Sequence, residues 1–191
     1  DRVAVQADKS VMLLALYAAT VKAGGVYLPL NTGYTASELD YFLGDAKPRI
    51  VVVAQAAEAQ IAPIAERGGA ALLTLDADEA GSLRDGAMKQ DADFTAVPRG
   101  SEDLAAILYT SGTTGRSKGA KLCHRNLLSN AEVLRDYWRF TADDVLLHML
   151  PIYHTHGLFV ASNLLAMVGG SMIFLPKFST DAALAWMPKA T

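Results

Sequence analysis

The sequence predicts an α/β fold with a doubly wound, mainly parallel sheet flanked by helices. Short β-branched runs alternate with longer helical stretches through most of the 191 residues, and this alternation is typical of parallel sheets built from βα units. One run, Ile50–Val53, is apolar at every position, as expected of a strand covered on both faces. Hydrophobic residues make up 51% and charged residues 19% of the chain, which suits a globular domain with a sizeable core.

The predicted strands are short apolar runs, several of them bounded by glycine, proline or polar turns. Pro29 marks either an edge strand or the exit of the second strand, because proline cannot donate a hydrogen bond to a sheet ladder. In chain order the predicted strands are Arg2–Gln6, Val26–Leu30, Ile50–Val53, Ala71–Leu75, Asp103–Thr110, Val145–Leu150 and Ser171–Leu175.

Helices are predicted between these strands. Thr35 and Glu38 form a capping-box pattern, which indicates a helix start. The helix that begins at His124 has apolar residues spaced 4, 3 and 4 apart, so one of its faces is apolar. The polar, turn-rich residues 76–103 predict a surface connection. The predicted helices are Val11–Ala23, Thr35–Ala46, Ala56–Arg67, His124–Trp138, Gly157–Val168 and Asp181–Thr191.

This order of elements predicts two lobes. Residues 1–140 form a nearly complete α/β lobe, which carries the glycine-rich segment described below. Residues 141–191 are expected to be the start of a second α/β lobe, which is truncated.

Composition argues against several classes of function. The net charge of −3 and the lack of a dense Lys or Arg run argue against nucleic-acid binding. The single cysteine, Cys123, excludes an internal disulfide and suits a reducing compartment such as the cytoplasm. The longest apolar run, Val11–Val21, is far shorter than the roughly 20 residues that cross a bilayer, and Lys9 and Lys22 flank it. We therefore expect no membrane partner.

The segment after the fifth predicted strand has the composition of a phosphate-binding loop. Ser111–Gly119 contains three glycines, four hydroxyl side chains and two cations in nine residues. Glycines let backbone N–H groups approach an anion, and Arg116 and Lys118 offset phosphate charge. A loop that leaves the carboxyl end of a parallel strand lies where α/β folds bind ligands. The segment is not a Walker A loop, because Ser117 rather than glycine precedes Lys118.

Histidines are the other candidate functional residues. His154 and His156 stand two apart after a predicted strand, a spacing at which both side chains could bind a metal. No third ligand is evident nearby, so we predict no metal site. His148 lies inside an apolar strand and is expected to be structural, as is His156. His124 is expected to begin or cap the next helix.

Three segments together resemble the adenylate-forming superfamily of acyl-CoA synthetases, luciferases and peptide-synthetase adenylation domains. Tyr109–Gly119, YTSGTTGRSKG, resembles the signature loop of this superfamily. Lys22–Asn31 and Leu150–Gly157 resemble two further motifs, in the same order and spacing. The likeness covers essentially the whole chain. Ser117 departs from it, because most members have proline there, and proline would stiffen the loop.

The resemblance implies an enzyme that activates a carboxylic acid with ATP and then transfers the acyl group to coenzyme A, with Mg²⁺ as metal cofactor. It implies catalytic roles for Lys118 and His154, with His154 donating a hydrogen bond to the substrate carboxylate. The residues that would hold the ATP phosphates are Thr110, Ser111, Gly112, Thr113, Thr114, Gly115 and Lys118.

Within the superfamily, Tyr27–Pro48, Asp136–Asn163 and Gly170–Phe178 resemble the malonyl-CoA synthetases, which implies malonate as the acid. The alternatives are a ligase for a fatty or aromatic acid, a truncated, non-catalytic nucleotide-binding module, and a phosphotransferase that uses the loop as a phosphate cradle. The absence of a Walker pattern disfavours the last. We expect the chain to be a fragment of the large domain, inactive alone, with the mobile C-terminal domain of the same enzyme as its missing partner.

Overall fold

The computed structural model describes residues 1–110 and 116–191. Contacts between residues group the chain into two compact units, Asp1–Cys123 and His124–Thr191. The division into lobes at residue 140 stays a prediction. In the structure, the helix just before residue 140 packs on elements of the second unit.

Among the described residues of the first unit, six strands form one sheet with the order β4-β3-β1-β2-β5-β6. Strands β1 to β5 run parallel, and β6 runs antiparallel to β5. The predicted fold class, a mainly parallel sheet flanked by helices, is therefore confirmed. The strands are β1 (Arg2–Gln6), β2 (Val26–Pro29), β3 (Ile50–Val53), β4 (Ala71–Thr74), β5 (Leu104–Thr110) and β6 (Lys118–Cys123).

The helices of this unit begin at local capping signals. Ser10 accepts a hydrogen bond from the amide of Leu13 at the start of α1. The predicted capping box is present at α2, where the Glu38 carboxylate accepts a hydrogen bond from the Thr35 amide over 2.8 Å. The helices are α1 (Val11–Lys22), α2 (Ala36–Ala46), α3 (Glu58–Arg67) and α4 (Ser82–Ala87), with a short 3₁₀ turn at Gln55–Ala57.

The core of the first unit lies between the sheet and helices α2 and α3. Val52 and Val53 of β3 are fully buried, as the apolar run predicted. Phe42 of α2 and Ile61 of α3 pack into the same cluster as Leu28 of β2. This packing fixes α2 against the sheet, which matters for the candidate site.

Two elements of the first unit were not predicted. Helix α4 lies inside residues 76–103, which composition alone had assigned to a connection. Strand β6 was assigned partly to the glycine-rich loop, because its sequence, KGAKLC, has two lysines and no apolar run. It lies at an edge of the sheet and forms through its ladder with β5. Lys118 and Gly119 therefore belong to a strand, and the predicted nine-residue loop was too long.

The second unit contains a parallel pair of strands, β7 (Val145–His148) and β8 (Ser171–Phe174). Helix α5 (His124–Trp138) begins at His124, as predicted, and helix α7 spans Thr180–Trp186. The predicted helix at 157–168 consists of a π-helical segment, His156–Ser162, that continues into α6 (Asn163–Val168). Within residues 1–110 and 116–191, no helix is both long enough and apolar enough to cross a membrane.

Candidate active site

Thr110 and Lys118 face each other across the β5–β6 ladder. They form the pair at the end of β5 and the start of β6, and both side chains are exposed. Parallel strands end at a common edge of a sheet, so this pair lies at the edge where α/β folds bind ligands. The other predicted phosphate-binding residues, Ser111, Gly112, Thr113, Thr114 and Gly115, lie outside the described residues.

The close approach of β6 to β5 depends on Gly119, the residue after Lys118. A Cβ atom at Gly119 would lie 3.0 Å from Cγ2 of Ile107 and 3.6 Å from the ring of Tyr109, its partner in the ladder. Real Cβ atoms rarely approach other atoms so closely. Glycine therefore leaves room for the Tyr109 ring beside the strand that carries Lys118.

Helix α2 contacts the chain just before β6. The hydroxyl of Tyr41 donates a hydrogen bond to the backbone carbonyl of Ser117 over 2.9 Å. The guanidinium of Arg116 lies 5.6 Å from the centre of the Tyr41 ring, within the range of a cation–π interaction. Tyr41 was not identified from sequence, because no local pattern marks a contact between residues so far apart in the chain.

The same helix also contacts the end of β5. The Tyr109 hydroxyl donates a hydrogen bond to the Asp45 carboxylate, and its ring packs 4.5 Å from the ring of Phe42. Burial raises the pKa of Tyr109, and the bond to Asp45 raises it further, so the phenol keeps its proton. Tyr41 and Asp45 are four residues apart and share one face of α2. This face therefore contacts both chain segments that flank residues 111–115.

Another cation lies at the same edge of the sheet. Lys9 follows β1, whose carboxyl end points in the same direction as that of β5. Partial burial of this side chain lowers the pKa of its amine from 10.5 to about 8. From sequence, Lys9 was identified only as a charged residue that flanks an apolar run, and not as a candidate site residue.

The donors at this edge have the chemistry that a polyphosphate requires. The hydroxyl of Thr110, the guanidinium of Arg116 and the ammonium of Lys118 are exposed, and two of them carry positive charge. The carboxylate of Asp45 accepts the hydrogen bond of Tyr109. Among the described residues, no group of three or more His, Cys, Asp or Glu side chains could hold a metal ion.

The second candidate group, the histidine loop (residues 149–157), lies in the second unit. Its residues His154, Thr155 and His156 are exposed. The imidazole of His154 packs on the ring of Tyr153, with 4.6 Å between ring centres. Exposure alone does not separate the roles of His154 and His156. His148 at the end of β7 is buried and hydrogen-bonded, so its predicted structural character is confirmed.

The parallel sheet, the loop sequence and the exposed histidines are features of the adenylate-forming superfamily. The chain matches the AMP-binding enzyme family over residues 1–189, and it belongs to that family. The resemblance to adenylate-forming enzymes is thereby confirmed.

The chain is similar to proteins named as malonate–CoA ligases and to several solved structures. The mitochondrial malonate–CoA ligase ACSF3 of Mus musculus is 36% identical, over 95% of this chain and 30% of its own length. The crystal structure of ATP-bound MatB from Rhodopseudomonas palustris is 62% identical with a TM-score of 0.98, and the match covers 100% of this chain and 38% of that chain. A malonyl-CoA ligase structure, a ternary product complex with methylmalonyl-CoA and AMP bound, is 32% identical with a TM-score of 0.77, over 100% and 38%. The chain thus spans less than two fifths of these proteins.

Proposed function

We propose that this chain is part of an ATP-dependent acid–thiol ligase that activates malonate and transfers the malonyl group to coenzyme A. The observation that carries the proposal is the pair of Thr110 and Lys118, exposed side by side at the carboxyl edge of a mainly parallel sheet. The similarity to malonate–CoA ligase and to ATP-bound MatB supports the choice of acid and of nucleotide.

In the first half-reaction, a carboxylate oxygen of malonate attacks the α-phosphorus of ATP, and the bond to pyrophosphate breaks. Negative charge grows on the departing pyrophosphate. Lys118 stabilises this charge through its ammonium group, and Thr110 donates a hydrogen bond through its hydroxyl. Ser111, Gly112, Thr113, Thr114 and Gly115 are proposed to complete this phosphate site. Arg116, whose guanidinium lies over the Tyr41 ring, adds a second positive charge beside it.

Mg²⁺ is proposed to accompany the ATP phosphates and to neutralise part of their charge. Its ligands would then be phosphate oxygens and groups beyond the described residues, since those residues offer no carboxylate or histidine cluster. In the second half-reaction, the thiol of coenzyme A attacks the acyl carbon of the malonyl-adenylate and AMP leaves.

His154 is proposed to contact the acid. Its imidazole is exposed on the histidine loop, where an N–H group can donate a hydrogen bond to an anionic carboxylate. Such a bond orients the carboxylate oxygen that attacks ATP. His156 lies at the start of the π-helical segment and is proposed to have no contact with the acid.

The rest of the enzyme is proposed to supply the other contacts. The chain spans 38% of MatB, and we place the adenine and ribose contacts and the C-terminal domain in the remainder. Because positioning supplies much of the rate in such reactions, residues 1–191 alone are expected to form no acyl-CoA at a useful rate. The single cysteine, Cys123, supports a cytoplasmic location.

The proposal is tested by ATP–pyrophosphate exchange in the full-length protein that contains this chain. Malonate is expected to drive exchange faster than acetate or octanoate, and a reaction without acid gives the background. Faster exchange with octanoate would contradict malonate and favour a ligase for fatty acids. Binding of ATP without exchange for any acid tested would favour a non-catalytic nucleotide-binding module.

A further inference from the structure

One buried titratable residue, His148, has no part in the chemistry proposed above. It occupies the last position of β7 and is only 2% exposed. Its ring packs on Phe174, its partner in β8, with 5.2 Å between ring centres. Burying an imidazole costs free energy unless its polar atoms are hydrogen-bonded. The partners of its Nε2 atom therefore show one part of the chain that this side chain holds in place.

His148 holds the backbone at Gly157, the last residue of the histidine loop. Its Nε2 lies 2.8 Å from the carbonyl oxygen of Gly157. A carbonyl can only accept, so Nε2 carries the proton in this bond. The hydroxyl of Ser162 donates to the same oxygen over 2.8 Å. The end of a strand and the π-helical segment are thus joined through one carbonyl oxygen.

The backbone of Gly157 is also confined by the start of the loop. A Cβ atom there would overlap the carbonyl oxygen of Pro151, so only glycine fits. The amide of Leu158 donates to the carbonyl of His154 over 3.0 Å. The end of the histidine loop therefore packs against its start.

Buried residues anchor both sides of the exposed tip. Ile152 is 2% exposed and Leu158 is fully buried. His154 lies two residues after the first anchor, and Gly157 directly precedes the second. The π-helical turn that begins at His156 is a rare geometry, frequently found at functional sites. A shift of the Gly157 carbonyl would therefore be transmitted to the backbone that carries His154.

We propose that His148 is a positioning residue for His154, which it acts on through the carbonyl of Gly157. The proposal rests on the proposed function, in which the His154 imidazole contacts the substrate carboxylate. His148 itself is buried and touches no substrate. Its N–H bond sets the position of the loop, and the loop sets the direction of the His154 imidazole. A displacement of about 1 Å in such a group can cost about 10² in rate.

The test uses the full-length enzyme with three single variants, and it repeats one of them in a His154→Ala background. His148→Leu removes the donor to Gly157, and His148→Gln keeps an N–H donor on a shorter, acyclic side chain. Leu165→Ala is the matched control, because Leu165 is equally buried in this unit but lies against Gly170 rather than Gly157. Melting temperatures identify variants that are merely destabilised. The measured quantities are kcat and the KM for malonate and for ATP, in pyrophosphate exchange.

The expected result for His148→Leu is a loss of about 10-fold to 100-fold in kcat/KM for malonate, with the KM for ATP near the wild-type value. His148→Gln should recover part of this loss. Leu165→Ala should lower the melting temperature and leave the kinetics unchanged below its unfolding transition. In a His154→Ala background, His148→Leu should have little further effect. An equal loss in both backgrounds would overturn the proposal.

Hydrogen–deuterium exchange supplies a readout that needs no activity. The backbone amide hydrogens of residues 152–158 should exchange with deuterium faster in His148→Leu than in the wild type or in Leu165→Ala. Unchanged exchange there would overturn the positioning role, whatever the enzyme catalyses. If the wild-type enzyme showed no malonate-dependent ATP–pyrophosphate exchange, the proposed function would be contradicted instead. The two failures are therefore distinguishable.

Discussion

The Tyr41 hydroxyl donates a 2.9 Å hydrogen bond to the backbone carbonyl of Ser117. Tyr41 belongs to α2, whose Phe42 and Leu43 are buried in the core of the first unit. The bond therefore ties the chain just before Lys118 to a rigid part of the molecule. Ser117 is the position where the resemblance implies a stiffening proline, and Tyr41 supplies a restraint at that position.

Removing the Tyr41 hydroxyl should loosen the chain before Lys118. Tyr41→Phe keeps the ring over which the Arg116 guanidinium lies and loses one hydrogen bond, a net contribution of about 1 kcal/mol. We expect the KM for ATP in pyrophosphate exchange to rise several-fold, with little change in melting temperature. Tyr137→Phe is the control, because the Tyr137 side chain is 82% exposed. An ATP KM equal to that of the wild type would show that the bond does not order the phosphate site.

Lys118→Ala should lower kcat in pyrophosphate exchange by about 10²–10³, the loss typical of a group that stabilises charge in the transition state. The control is Lys121→Ala on the same strand. Lys121 is three residues further along, so its side chain points to the opposite face of β6, and its loss should leave the rate near wild type. Circular dichroism checks that both variants fold. Equal rates for the two variants would contradict the phosphate role of Lys118.

His154→Ala should impair malonate activation more than His156→Ala, because only His154 is proposed to contact the acid. The two residues lie on one exposed loop and therefore serve as controls for each other. The measurement is kcat/KM for malonate in pyrophosphate exchange. A larger loss of kcat/KM in His156→Ala would reverse the assignment. If neither variant changed kcat/KM, the histidine loop would not be part of the substrate site.

The stability of the enzyme should depend on pH through Lys9. Its pKa is lowered to about 8 in the folded state by burial, from 10.5, so between these values the unfolded chain binds more protons than the folded one. Stability from this group therefore rises with pH across that window. The melting temperature should gain more between pH 7.5 and 9.5 in the wild type than in Lys9→Met, which cannot titrate. An equal rise in melting temperature in the wild type and in Lys9→Met would contradict a contribution of Lys9 to the pH dependence.

The elements that sequence predicted correctly are those with strong local signals. The apolar run of β3 and the capping box at Thr35 depend on residues close together in the chain, and both are present as predicted. Strand β6 was missed because its lysines hide any apolar pattern, and it forms only by pairing with β5. The contact of Tyr41 with Ser117 joins residues 76 positions apart, so no sequence window contains it.

By itself, the sequence determined the α/β class and the family of the protein. These properties follow from periodicity, from composition and from the order of motifs, and each of these can be read from the amino-acid sequence. Only the tertiary structure decided that Lys118 stands opposite Thr110, that Tyr41 and Asp45 hold the flanking chain, and that His148 bonds to Gly157. Such relations are set by strand register and side-chain packing, which depend on the whole folded unit rather than on neighbouring residues.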